Sequence, residues 1–312
     1  MHHPFEPFIG RRGAAVLDGG LATELERRGL DLADPLWSAA ALLDRPALVE
    51  LVHRDYLAAG ADVITSATYQ ATVPGLRARG LSEADAVDLL RAGVDIARRA
   101  RDAFAASLPV DRGRPLVAAS IGSYGAFLAN GAEYRGRYGL SVDALAVWHR
   151  PRARVLDESG ADLLAFETIP AREELEAIVR VLGEADGPPA WISFSARDGG
   201  TIADGTPVGE AAAIASSSPR VVAVGVNCVA PEMVSPLLRA MRPATSKPLV
   251  AYPNRGDVWD AVARGWIRRE AVVDYSALAG EWRELGARLI GGCCGTTPGD
   301  VRAIKKGMSP TA

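Results

Sequence analysis

Cysteine is scarce: there are three in 312 residues, Cys228, Cys293 and Cys294. An odd count argues against a disulfide framework, and neighbours such as Cys293 and Cys294 rarely bridge because disulfide geometry is narrow. Charge of one sign is also lacking. With 35 basic and 38 acidic residues the formal charge is −3, so neither nucleic acid nor an anionic membrane is expected as a partner. No apolar run approaches 20 residues, which excludes a transmembrane helix of the usual length. The opening MHHPFEPFIGRRG has no apolar core and no small-residue cleavage site. No secretory leader is expected, and a cytoplasmic address follows. G-x-G-x-x-G is missing after the first apolar run, as are Walker A, H-E-x-x-H and G-x-S-x-G motifs. No linker rich in Pro, Gly or Ser divides the chain, so one domain over 1–312 is expected, with 1–12 as a flexible lead-in. At 48% hydrophobic and 23% charged residues the chain is folded rather than disordered.

What is present is an alternation. Short, largely apolar runs occur at 14–20, 62–67, 116–122, 162–168, 190–196, 221–228, 248–254 and 288–294. Amphipathic helical stretches lie between them, for example 83–106, 141–159, 172–183 and 273–285, with Ser82 placed to cap the first of these. Apolar strands alternating with helices imply a parallel sheet covered on both faces. Eight such units predict an α/β fold of the (β/α)8 TIM-barrel class. The longest irregular stretch, 123–140, is rich in Tyr and Gly, and loops of that length are usually functional.

In a barrel of this kind the reactive end is the C-terminal rim of the strands. Asp18-Gly19-Gly20, Ser66, Glu167-Thr168, Asn227-Cys228, Tyr252-Pro253-Asn254 and Gly291-Gly292-Cys293-Cys294-Gly295 all fall there. All three cysteines therefore share one rim. Two readings are open: inert buried thiols, or three thiolates around a zinc ion with one tetrahedral position left for substrate. A zinc held by three thiolates is too electron-rich to favour activating water. It suits holding a substrate thiol as a nucleophilic thiolate and attracting a cationic electrophile. The chemistry expected from the residues is alkyl transfer to sulfur. Other candidates have plainer readings. His53 and His149 sit in helices as packing residues, His2 and His3 are terminal, and Arg98, Arg99 and Arg101 form a solvated helix face.

The segments LDGGLATELERRG, DPLWSA, YQAT, GAFLANGAEYRGRY, HRPR, GADLLAFET, ADGTPVG, GVNC, YPNRG and ARLIGGCCGTTP, from Val16 to Lys305, resemble the zinc-dependent homocysteine S-methyltransferases. The similarity is greatest to the branch that uses S-methylmethionine. GVNC together with GGCCGTTP is the specific pairing. The resemblance implies a (β/α)8 barrel, Zn2+ held by Cys228, Cys293 and Cys294, and transfer of a methyl group to the thiol of L-homocysteine, giving methionine. It implies that Asp18 and Glu167 receive the α-ammonium of homocysteine. The amides around Gly19 and Gly20, with Ser66, would receive its carboxylate, and Asn227 would orient the amino acid or the metal loop. The plainer readings remain turn chemistry for Asp18, Ser66 and Asn227, and a buried ion pair with an arginine for Glu167. S-adenosylmethionine or betaine are the alternative donors. Betaine-using members have Tyr after the glutamate, where this chain has Thr168. Trp37, Tyr69, Phe127, Tyr134 and Tyr138 could offer aromatic faces to a sulfonium, and Glu133 and Arg135 could meet the donor's amino-acid end. A zinc or redox thiol barrel without methyl transfer is the alternative from another class.

Overall fold

Each apolar run contains a strand. In chain order the strands are β1 (Ala15–Val16), β2 (Val63–Thr65), β3 (Leu116–Gly122), β4 (Leu163–Ile169), β5 (Ala190–Phe194), β6 (Val221–Asn227), β7 (Leu249–Tyr252), β8 (Val258–Asp260), β9 (Gly265–Ile267) and β10 (Ala287–Ile290). The computed structural model describes residues 4–31, 36, 39–109, 113–256, 258–260, 265–267 and 272–308, with 258–260 and 265–267 described as backbone only. Eight strands form one parallel sheet in the order β1-β10-β7-β6-β5-β4-β3-β2. Its ends meet: Leu17 bridges Val63 in parallel, and Asp18 N–H donates to Val63 O at 3.0 Å. The expected (β/α)8 barrel is therefore observed. The eight-strand reading missed a small antiparallel hairpin, β8–β9, inserted between β7 and β10. No helix among the described residues is long and apolar enough to cross a membrane.

Strand residues alternate between lumen and helix layer, as the two-residue period requires. On β4, Leu163 and Ala165 belong to the inner cluster, whereas Leu164 and Phe166 pack outward against helices. Continuing that parity puts Glu167 in the lumen. The same parity carries Ser120 after Ala118, Ser193 after Trp191, and Asn227 after Ala223 to the inside. The lower lumen is thus apolar and filled, with Trp191 fully buried, and its upper layer is polar.

Residues 1–12 do not behave as a flexible lead-in over the described part. Glu6–Arg12 is a helix, and Phe5 and Phe8 insert into the inner cluster from below. Burying each is worth about 1.5–3 kcal/mol, which opposes fraying of the terminus. Arg12 pairs with the buried Asp62 carboxylate, which also accepts Val16 N–H at 2.9 Å. The device recurs two strands away, a quarter of the way round the barrel. Gly60-Ala61-Asp62 has a counterpart in Gly160-Ala161-Asp162, where Asp162 accepts Val117 N–H at 2.8 Å and pairs with Arg101 at 2.7 Å. Arg101 is therefore 1% exposed rather than part of a solvated face, unlike Arg98 and Arg99.

The helices match their sequence signals closely. Glu83–Ala105 starts at Ser82, whose hydroxyl accepts Asp85 N–H at 3.1 Å, and Val142–Asp157 starts at Ser141. His53 and His149 are buried in helices, as expected. The stretch 123–140 is less irregular than its composition suggests. It contains a helical turn at Tyr124–Phe127 and a 3-10 turn at Ala132–Tyr134. Glu174 anchors its start, accepting Tyr124 N–H at 2.5 Å and meeting His149 Nε2 at 2.8 Å.

Candidate active site

The three cysteines converge. Cys228 follows the last residue of β6, and Cys293 and Cys294 follow β10. Their sulfurs are separated by 3.2 Å (Cys228–Cys293), 3.7 Å (Cys228–Cys294) and 4.0 Å (Cys293–Cys294). Sulfurs at the corners of a tetrahedron with zinc–sulfur bonds of about 2.3 Å lie about 3.8 Å apart, so the cluster fits the ion. Local backbone makes this possible. Cys228 has φ of 54°, a left-handed conformation that side chains rarely adopt, and it turns the thiol toward β10. Cys293 N–H donates to Pro253 O at 2.7 Å, while its carbonyl accepts Thr296 Oγ1 at 2.6 Å. A Cβ on Gly20 would lie 2.7 Å from that carbonyl, and one on Gly292 2.2 Å from Thr296 Oγ1. Glycine at both positions lets the cysteine turn sit against β1.

Hydrogen bonds from the Cys293 and Cys294 thiols hold Cys228 well below the ordinary thiol range, and those two thiols are pushed up in turn. Tyr134, from the 3-10 turn of the 123–140 loop, places its hydroxyl 3.3 Å from Cys228 Sγ. Cys228 is thus the sulfur around which the other donors gather.

Beside the cluster lie two buried acids. Asp18 accepts Thr65 N–H at 2.7 Å and Thr65 Oγ1 at 3.1 Å. Burial nonetheless pushes its carboxyl up to about 8, and the nearby Glu167 adds to the rise. Glu167 accepts hydrogen bonds from Ser120 Oγ and, at 3.0 Å, from Tyr252 Oη. Burial pushes it up to about 7 against those bonds. Among the described residues no basic side chain pairs with either acid. The ion pair with arginine that one sequence reading allowed for Glu167 is not formed there. Two buried carboxyl groups without a counter-ion are chemically suited to a cationic group.

Asn227 does not face those carboxyl groups directly. Its Oδ1 accepts Thr168 N–H and Ser193 Oγ, each at 2.8 Å, and its Nδ2 donates to Thr168 Oγ1 at 2.8 Å. Thr168 has φ of 59°, a strained conformation costing about 1–2 kcal/mol. Asn227 therefore locks the backbone immediately after Glu167. Ser66 lies in a closed circuit as well: its Oγ accepts Ser120 N–H at 3.1 Å and lies 2.7 Å from Thr68 Oγ1, which donates to Ser120 O at 2.7 Å. Gly20 N–H is bonded to Thr296 Oγ1 at 3.1 Å. Gly19 lies under Tyr56, whose hydroxyl donates to Gly20 O at 3.0 Å.

Sequence reasoning missed Ser120, Trp191 and Ser193 and put Tyr252 on the rim without a role; together they support Glu167. Trp191 Nε1 donates to Tyr252 Oη at 3.1 Å, Ser193 Oγ lies 2.5 Å from the same oxygen, and Tyr252 passes the chain to Glu167. The available signal was a polar group at a lumen-parity position of each run, Ser120, Ser193 and Tyr252. Of the aromatics proposed for a sulfonium, Tyr138 packs edge-on with Tyr124, and Phe127 packs at a tilt against Tyr124 and Trp148. Tyr134 stands at the cluster, and Trp37 lies outside the described residues.

Comparison with known proteins decides the family. A model described as homocysteine S-methyltransferase matches residues 15–308. The chain belongs to the homocysteine S-methyltransferase family. It is 46% identical over 304 residues to a homocysteine S-methyltransferase of Bacillus subtilis, covering 97% of this chain and 96% of that one. It is also 46% identical over 306 residues to a selenocysteine Se-methyltransferase of Brassica oleracea, covering 94% and 88%. The metallated crystal form of the Escherichia coli homocysteine methyltransferase superposes with a TM-score of 0.88 at 44% identity, covering 97% of this chain and 99% of that one. For this homocysteine S-methyltransferase family member, the all-sulfur cluster and the metallated relative together identify Zn2+ as the cofactor.

Proposed function

We propose that this protein transfers a methyl group from S-methylmethionine to the sulfur of L-homocysteine, giving two molecules of methionine. The observation that carries the reading is the juxtaposition on one rim of three sulfurs within 4.0 Å and two buried carboxylates without a basic partner. Homocysteine presents both complements, a thiol and an α-ammonium. Cys228, Cys293 and Cys294 would hold zinc, which supplies a substrate sulfur kept as thiolate at neutral pH.

The protein's own groups do the rest. Asp18 and Glu167 receive the α-ammonium, and Ser120, Tyr252 and Thr65 fix the directions of those carboxylates. Asn227 holds the Glu167–Thr168 turn. For the substrate carboxylate the backbone at Gly19 is better suited than Ser66, whose single proton is already engaged with Thr68. The homocysteine thiol releases its proton to solvent, and its sulfur attacks the sulfonium methyl carbon in line. The carbon–sulfur bond of the donor breaks, and the electron pair stays on the departing thioether. Alignment of two bound amino acids is the main contribution of the fold to rate. Thr168, where betaine-using members have Tyr, favours a sulfonium over betaine. The reduced thiols fit a cytoplasmic setting.

Replacement of one ligand tests the reading. Cys228→Ser should lose both zinc and methionine formation, measured by metal analysis and product assay. Full zinc and full turnover in that variant would overturn the site. Methionine formed from S-adenosylmethionine or betaine but not from S-methylmethionine would overturn the donor alone.

A further inference from the structure

Two amino acids meet in the proposed reaction, and each carries an α-ammonium. Asp18 and Glu167 account for one. A half-buried acid, Glu133, stands apart from them on the 123–140 loop. Glu133 sits in the 3-10 turn Ala132–Tyr134, next to the tyrosine whose hydroxyl lies 3.3 Å from Cys228 Sγ. Its Oε2 is buried and has no hydrogen-bond partner among the described residues. Arg135, two residues on, donates to Asn130 O at 2.9 Å instead of pairing with it.

The position is rigid. Ser195 Oγ donates to Glu133 O at 2.5 Å, and Gly125 lies so close beneath that a Cβ there would be 2.5 Å from Glu133 N. The carboxylate also belongs to the cleft: burial pushes it up to about 7 against a hydrogen bond from its own backbone N–H and the positive charge of Arg135, negative charge on Cys228 adds to the rise, and Tyr69 and Tyr134 feel its charge in turn. A buried acceptor without a donor is costly unless a ligand supplies one. A sulfonium has no N–H or O–H to give. An ammonium does.

Building on the function proposed above, we infer that Glu133 is the donor-binding residue that receives the α-ammonium of the methyl donor, and so selects amino-acid sulfoniums over sulfoniums without an amine. Homocysteine and donor are then held by separate carboxylates, one set at the ends of β1 and β4, the other on the loop after β3.

The test compares zinc-loaded wild type with Glu133→Gln, using S-methylmethionine and dimethylsulfoniopropionate, a sulfonium carboxylate without an amine. Wild type should favour S-methylmethionine by about tenfold or more in kcat/KM. In Glu133→Gln the KM for S-methylmethionine should rise by a similar factor and the preference should collapse. Zinc content and homocysteine KM should stay within twofold of wild type. Calorimetric titration of S-methylmethionine without homocysteine should weaken in parallel, independently of turnover. If Glu133→Gln retains wild-type donor affinity, the inference falls while the function stands. A wild type that forms no methionine from S-methylmethionine overturns the function and the inference with it. Should Glu133→Gln not fold, the wild-type comparison decides: equal kcat/KM for the two sulfoniums contradicts the inference.

Discussion

Tyr252→Phe removes one oxygen from the hub of the lumen network. That oxygen accepts Trp191 Nε1 at 3.1 Å, lies 2.5 Å from Ser193 Oγ and donates to Glu167 at 3.0 Å. Two costs follow. The buried Trp191 N–H is left without its acceptor, which destabilises the fold by about 1–3 kcal/mol. Glu167 keeps only the Ser120 donor. A hydrogen bond to an ionised carboxylate is worth about 1.5–3 kcal/mol, or about ten- to a hundredfold in the proton equilibrium. That bond favours the charged form, so losing it moves Glu167 further up from about 7. At pH 7 fewer molecules then present the ionised receptor, and the homocysteine KM should rise about tenfold. At pH 8.5 the ionised form is largely restored and the KM should recover. The assay is the homocysteine KM at both pH values in zinc-loaded protein, with urea unfolding as the stability readout. An unchanged KM at pH 7, or a rise equal at both pH values, would refute the argument from Glu167 ionisation.

Two further outcomes follow from other parts of the molecule. His53 is fully buried with both ring nitrogens unpartnered among the described residues, and burial lowers it from 6.5 to about 4. The unfolded chain binds that proton below about pH 6.5 and the folded chain does not, so stability should fall by about 3 kcal/mol between pH 6.5 and 4. His53→Leu should flatten that limb in urea melts, and an identical acid slope in the variant would contradict the reasoning. Gly20→Ala would place a Cβ 2.7 Å from Cys293 O. The displaced ligand turn should weaken zinc binding by about ten- to a hundredfold, read by chelator competition, and wild-type affinity would show that the contact relaxes freely.

The barrel was legible because each strand is buried on both faces and so reads as an apolar run. The cysteine cluster was legible because rim position follows from strand position: Cys228 ends one run, and Cys293 and Cys294 end another. The hairpin β8–β9 is too short to stand out by periodicity. The lead-in helix was misread because MHHPFEPFIGRRG looks polar and broken, while Phe5 and Phe8 act through a lumen that only tertiary structure creates. The support of Glu167 was hidden for the same reason. Ser120 and Tyr252 stand 47 and 85 positions away from it in sequence, and no local pattern joins them. Arg101 looked like its neighbours Arg98 and Arg99, and only its place opposite Asp162 buries it.

The central claim is that three cysteines hold zinc in order to present homocysteine sulfur to a sulfonium methyl group. The most direct test uses freshly reduced protein with its zinc quantified, incubated with L-homocysteine and S-methylmethionine while methionine is measured. The account expects about one zinc per chain and methionine formed in twofold excess over homocysteine consumed. Reduced protein that neither contains nor takes up zinc, or zinc-loaded protein that methylates homocysteine from none of S-methylmethionine, S-adenosylmethionine and betaine, would contradict it.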